Sequence, residues 1–431
     1  MLRRAGGVVG PFVLAATLVI AALLGRDFRA PTSLDVPTDE PRHEWLMHRL
    51  HRDPRFLLRI AATADVNNPR LDEKDNELYV IGPKPLLVYA EWGVFEVLSR
   101  CLPDRTDYLR THCLMLLDAV FVCWQAMLLA RLVTIDPSGR VGLRRRLLVT
   151  AFFLTLVPVF ASVLWMRTYN AMFGFLLLLT EVVLMRASAS DVDAVRGSRR
   201  RDRYLALAGA VSFSTVAVAS AAPLLILGNV GALAVRSLVD RSGWRRLARS
   251  LGAFLAGGAA VLVAFELAYR LNDRSFFVLF FRHYAENVHA NQLRVPFPHH
   301  PFVPWTYHLI VAPSIVVAFT ATVLGAWRLR HEARVIAAAA ACVLWLFAFE
   351  LLRVVPLGRV TYGWTMLVVV LVAALASVRW TGRRAEWSIA GLMLLNILAL
   401  SGIWVGPAVA TRYVRFEGDQ SLLEELNAWY R

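Results

Sequence analysis

Apolar runs, each near the roughly 20 residues that cross a hydrocarbon core, recur along the whole chain with short arginine-rich loops between them. They fall at 8–25, 111–130, 147–166, 170–186, 204–219, 221–235, 250–270, 306–327, 334–352, 360–378 and 387–406. Lipid offers no hydrogen bonds to the backbone, so a span must satisfy its own N–H and C=O groups, and a helix does this within one segment. The expected fold is therefore an all-α polytopic membrane protein with about eleven transmembrane helices. Met1 to Leu24 has the charge and apolar pattern of a signal peptide, but Leu23-Leu24-Gly25-Arg26 is a poor cleavage site, so an uncleaved first span is expected.

The chain has 431 residues, 57% of them hydrophobic, and a formal net charge of +15. A balance that basic suggests nucleic acid. The arginines, however, stand in short clusters between apolar runs, the pattern that marks a cytoplasmic face, and a nucleic-acid partner is set aside. Those clusters are Arg3-Arg4, Arg140 with Arg144 to Arg146, Arg196 to Arg203, Arg236 to Arg249, Arg328 to Arg334 and Arg379 to Arg384. All fall on one side if 204–235 is a tight hairpin turning near Pro223. This places the N-terminus in the cytoplasm of a multi-pass protein of the cell membrane. Residues 26–110, Arg167 to Asn170, 271–305, Arg353 to Arg359 and the tail 407–431 then face outward. The chain divides into a first span with a long outer loop (1–110), a helical bundle (111–406) whose main outer loop is 271–305, and a short outer tail (407–431).

The first outer loop carries two amphipathic stretches expected to lie on the membrane surface. One opens at Pro41 and runs through Trp45, Leu46, Leu50, Phe56 and Leu57. The other runs from Pro85 to Leu102, with Trp92, Phe95 and Leu98 on one face and Glu91 and Glu96 elsewhere. At the head of this loop stands Asp39-Glu40. Asp39 has the chemistry of a general base for an acceptor hydroxyl, or it caps the helix that Pro41 starts. Lys84, between Pro83 and Pro85, is a stiffly held ammonium suited to a lipid phosphate, or an interfacial lysine that snorkels. Arg110, Arg353 and Arg359 share that pair of readings.

Histidines and aromatics crowd 281–308, including His299, His300, Trp305, Tyr307 and His308. No pair has the spacing of a zinc site with a third ligand, so the loop reads as an aromatic belt and sugar-stacking platform, with a divalent metal as the lesser reading. Glu181, Glu266 and Glu350 fall in or near spans and are candidates on that ground. The four cysteines form no metal-ligand or disulfide pattern, and Cys123 and Cys342 read as small buried hydrophobes.

In their order these features resemble the GT-C membrane glycosyltransferases, in particular the dolichyl-phosphate-mannose protein mannosyltransferase-like branch that includes bacterial lipid A aminoarabinose transferases. An acid pair follows the first span (Asp39-Glu40). A lysine-proline segment opens a surface helix (Lys84-Pro85-Leu86-Leu87-Val88-Tyr89), and an arginine starts the second span (Arg110). The outer loop carries His300-Pro301 and Pro304-Trp305-Thr306-Tyr307, and Arg359 with Tyr362 precedes a late span. The resemblance implies an inverting glycosyltransferase with a polyprenyl-phosphate-linked sugar as donor and a glycan, lipid or protein as acceptor. Asp39 would be the base with Glu40 beside it, Lys84, Arg110 and Arg359 would hold the donor phosphate, and His300, Trp305 and Tyr307 would contact substrate. Asn170 stands where many relatives carry an acid, and is assigned to substrate. The alternative is a transporter or flippase for a lipid-linked or anionic solute, which more often shows repeated halves and broken spans.

Overall fold

The computed structural model describes residues 2–24, 47, 50–59, 84–101, 107–133, 143–159, 168–189, 196–219, 221–240, 243–281, 312–352, 357–378 and 382–401. Among them there is helix and no strand. The helices are α1 (Leu2–Leu24), α2 (Pro85–Cys101), α3 (Asp107–Leu132), α4 (Leu143–Leu154), α5 (Thr168–Ala189), α6 (Arg196–Ser214), α7 (Ala222–Val239), α8 (Gly243–Arg270), α9 (Pro313–Leu324), α10 (Ala333–Leu352), α11 (Leu357–Ala376) and α12 (Gly382–Ser401). Asn170–Ala189, Ala222–Val239 and Gly243–Arg270 are long and apolar enough to cross a membrane. Shorter apolar helices lie at Val9–Ala21, Pro313–Leu324, Ala333–Ala348, Tyr362–Ala376 and Glu386–Ala399.

The bundle is built round α11. It is apolar on every side and buried from Tyr362 to Ala374, as a helix with no polar stripe must be. It packs against α3, α4, α5, α9, α10 and α12. Gly363 admits Trp345 of α10 so closely that a Cβ there would lie 2.2 Å from the indole. At the other extreme α8 is peripheral, with Leu255, Val263 and Leu267 exposed, as expected of a helix facing lipid. It is held by α6 through backbone approach. A Cβ on Gly209 would stand 1.8 Å from the Phe254 carbonyl oxygen, and one on Gly257 1.8 Å from that of Ala206. Small residues that let backbones touch are the usual means of packing helices where lipid removes the hydrophobic drive.

Buried amides add fixed points between helices. Asn229 of α7 donates to the Ser212 hydroxyl of α6 at 2.9 Å. Asn396 of α12 donates to Phe152 O at 3.1 Å and Thr155 Oγ1 at 3.2 Å, and accepts from Ser314 of α9.

Several expected boundaries move. The span expected over 147–166 breaks after Leu154. Thr155 turns its hydroxyl back to Ala151 O (2.9 Å), and Pro158 has no N–H to continue the ladder. The region 204–235 divides into α6 and α7, joined through a 3-10 turn at Thr215–Ala217, with Pro223 in the first turn of α7. The arginine cluster from Arg196 is the first part of α6 rather than a loop. The surface helix expected from Pro41 through Leu57 is interrupted at Asp53-Pro54. There Asp53 accepts from Arg55 N (3.0 Å) and Phe56 N bonds Asp53 O (2.9 Å), and a new turn, Phe56–Arg59, begins. The second amphipathic stretch is helical as α2, and Glu91 is buried. Leu87 of α2 enters the main core, while Val88 and Phe95 pack on Met47, Leu50 and Leu57. Cys123 and Cys342 are buried, as small apolar side chains would be.

Candidate functional site

Asp39, Glu40, His300, Trp305 and Tyr307 lie outside the described residues, as does the tail 407–431. Arg110 and Arg359 are placed by their helix backbones, and Lys84 and Asn170 with their side chains.

Helices α2, α3, α5 and α11 meet, α3 and α5 each packing on the other three. On these packed helices, chemistry that lipid and core disfavour is buried: Lys84 and Glu91 on or beside α2, Asp118 and Gln125 on α3, and Asn170 on α5. Lys84 is 6% exposed, Glu91 1% and Asp118 0%. Taking one ion out of water costs several kcal/mol even after relaxation, so ionisable side chains buried on helices that pack together mark a candidate functional region.

The geometry of the junction is set by Gln125. Its amide donates to the Ala171 carbonyl at 2.5 Å, and its oxygen accepts from the Tyr362 hydroxyl of α11 at 3.4 Å. Gly174 of α5 lies under that hydroxyl, where a Cβ would come within 2.7 Å of it. Asn170 lies one turn before Gly174, and Arg359 nearly one turn before Tyr362, each on its partner's face of its helix. The fold therefore sets positions 170 and 359 at one level on facing helices. Asp118 lies two turns before Gln125 on the same face of α3. It is the acid that the sequence reading passed over, although a lone carboxylate in Met115-Leu116-Leu117-Asp118-Ala119-Val120 is itself a signal.

The Arg110 side chain lies outside the described residues. Roughly 22 Å of α3 lies between its backbone and Gln125, and roughly 25 Å of α2 separates Lys84 from the connection leading to Arg110 at 1.5 Å rise per residue.

Beside the junction, around α2, the packing is aromatic. Tyr89 donates to Pro54 O at 2.8 Å, tying α2 to the 50–59 segment. Burial, helped by the Asp53 charge, pushes its hydroxyl up to about 12, so it is a donor and not a phenolate at any ordinary pH. Tyr89 and Trp92 meet edge to face. The buried Trp92 Nε1 and Tyr269 hydroxyl have no hydrogen-bond partner among the described residues. Glu96 pairs with His51 at 2.8 Å and Arg100 at 3.0 Å, and the hydrogen bond from His51 is the main reason its carboxyl titrates below the usual range.

Of the acids expected to matter, Glu266 serves structure. It pairs with Arg270 at 2.6 Å and accepts from Ser275 Oγ and Phe277 N, clipping the next segment to the end of α8. Glu181 lines a cavity at the other end of the bundle. The Glu350 side chain lies outside the described residues. Among the described residues no histidine, cysteine or carboxylate group gathers into a metal-sized set. A scan against protein-family models and a search of curated proteins each find no match to this chain.

Proposed function

We propose that the chain is an inverting glycosyltransferase of the cell membrane, crossing it about eleven times with its N-terminus in the cytoplasm. It would move a sugar from a polyprenyl phosphate to an acceptor hydroxyl at the outer face. The observation that carries this reading is the burial of Lys84, Glu91, Asp118, Gln125 and Asn170 on or beside helices that meet, two of which also pack on the helix bearing Arg359.

In this reading the acceptor oxygen attacks the anomeric carbon from the face opposite the phosphate. The bond from that carbon to the phosphate oxygen breaks, the electron pair leaves with the polyprenyl phosphate, and the acceptor proton passes to Asp39, with Glu40 beside it. Lys84 and Arg359 neutralise the departing phosphate, which is the electrostatic help the step needs most. Arg110 acts with them on the donor phosphate. Asn170, His300, Trp305 and Tyr307 hold the sugar by hydrogen bonds and ring stacking. The acceptor is a glycan, a lipid or a protein, and a divalent metal is not required by these steps.

The test is to incubate the purified chain with a polyprenyl-phosphate sugar and hydroxyl acceptors and to follow sugar release. Acceptor-dependent release that Lys84→Ala weakens supports transfer. Movement of the intact lipid-linked sugar across a vesicle, with no cleavage, would favour the flippase alternative instead.

A further inference from the structure

At the end of the bundle away from that junction, α5, α6, α8, α7, α10 and α11 pack each on the next and back to the first, closing a ring. The ring encloses a cavity of about 90 Å³, room for several waters or one small oxyanion. Four arginines line it, Arg201 of α6, Arg236 of α7, Arg246 of α8 and Arg334 of α10, together with the acids Glu181 and Asp240. Hydrogen bonds hold the wall in shape. Arg201 donates to Ser250 Oγ at 2.6 Å, Ser250 donates to Arg246 O at 2.7 Å, and Arg334 donates to Leu132 O at 2.6 Å. Arg236 pairs with Asp240 at 3.5 Å across one turn of α7. The neighbouring Arg249 is matched by Asp202 at 2.6 Å and adds no excess charge. Leu184 and Leu367 lie on the apolar floor.

Like charges gathered at the end of an apolar bundle repel one another, and an anion between them removes that cost. The guanidinium groups approach from four helices, which suits a tetrahedral oxyanion better than a planar carboxylate, and arginine is the side chain that grips phosphate oxygens in pairs. The arginines stand near helix ends, where a bundle that spans a bilayer meets lipid headgroups. We propose that this cavity is a phosphate-binding site, separate from the transfer site, that takes either the phosphate of an anionic phospholipid headgroup or a free phosphate ion. It stands on its own residues and does not depend on the proposed reaction.

The test uses the full chain with two probes. Equilibrium dialysis in detergent with radiolabelled inorganic phosphate, with acetate as competitor, reads the free ion. Native mass spectrometry from nanodiscs of phosphatidylcholine containing phosphatidylglycerol reads the lipid. The variant is Arg236→Gln with Arg246→Gln, at two walls of the cavity, and Arg236→Lys with Arg246→Lys serves as the charge-keeping control. Phosphatidylglycerol retained by the wild type and lost about tenfold or more from the glutamine variant assigns the lipid source, and the same loss in dialysis assigns the free ion. The lysine variant should fall between. Neither probe bound by the wild type, equal binding by the glutamine variant, or displacement by acetate as effective as by phosphate overturns the proposal. Melting temperatures of both variants near that of wild type establish that the loss is local. If the glutamine pair does not fold, single Arg246→Gln, on the exposed surface of α8, carries the same comparison.

Discussion

Gly174 and Tyr362 meet where α5 crosses α11, so closely that a Cβ on the glycine would stand 2.7 Å from the phenol oxygen and 3.1 Å from Gln125 Oε1. The contact matters because Asn170 and Arg359 lie one turn above it. Gly174→Ala must push Tyr362 or Gln125 aside in a packed core, which costs about 1–3 kcal/mol. The expected result is a lower melting temperature in detergent, together with a loss of sugar transfer larger than the loss of folded protein. Unchanged melting would mean that the helices do not meet at this point.

Asp118 is fully buried on the face of α3 that carries Gln125. Asp118→Asn keeps its shape and removes its charge. Transfer should fall by about tenfold or more, the usual effect of losing one charge-assisted contact at a reacting centre, with normal insertion into the membrane. Full activity in that variant would return Asp118 to a structural role.

Lys84→Ala should raise the apparent donor constant about tenfold, with less effect on turnover at saturating donor. Asp39→Asn should instead abolish turnover while donor binding persists. A donor constant untouched by Lys84→Ala would leave Lys84 as an anchor at the lipid interface.

The Glu96 pair with His51 and Arg100 makes the outer segment sensitive to acid. Its carboxyl titrates lower in the folded protein than in the unfolded chain, so the pairing stabilises above the ordinary glutamate range and is lost as pH falls through the lowered value. Melting temperature should decline from about pH 5 to pH 3, where carboxylates protonate, and Glu96→Gln should flatten that part of the decline. An identical profile in the variant would show that this pair contributes nothing.

Much of the fold could be read from local pattern. The apolar runs over 221–235, 334–352 and 360–378 became α7, α10 and α11 with small shifts, because a segment that must satisfy its own backbone in lipid has little choice but helix. Lys84 was marked by its flanking prolines. Asp118 escaped because one acid in a run of leucines resembles a tolerated substitution until its burial is known, and Gln125 because an amide inside a span carries no motif. Pro54 and Pro158 were each visible, but the amphipathic pattern around the first and the apolar run around the second outweighed them, and in both places the chain breaks its helix.

The chain alone settled that it is helical and membrane-like, since these follow from composition and from the period of apolar residues. Tertiary packing decided which polar groups share a junction. That choice depends on the depth and rotation of one helix against another, set by contacts such as Gly174 on Tyr362 and Gly209 on the Phe254 backbone. Residues far apart in sequence fix those offsets, and no local pattern encodes them.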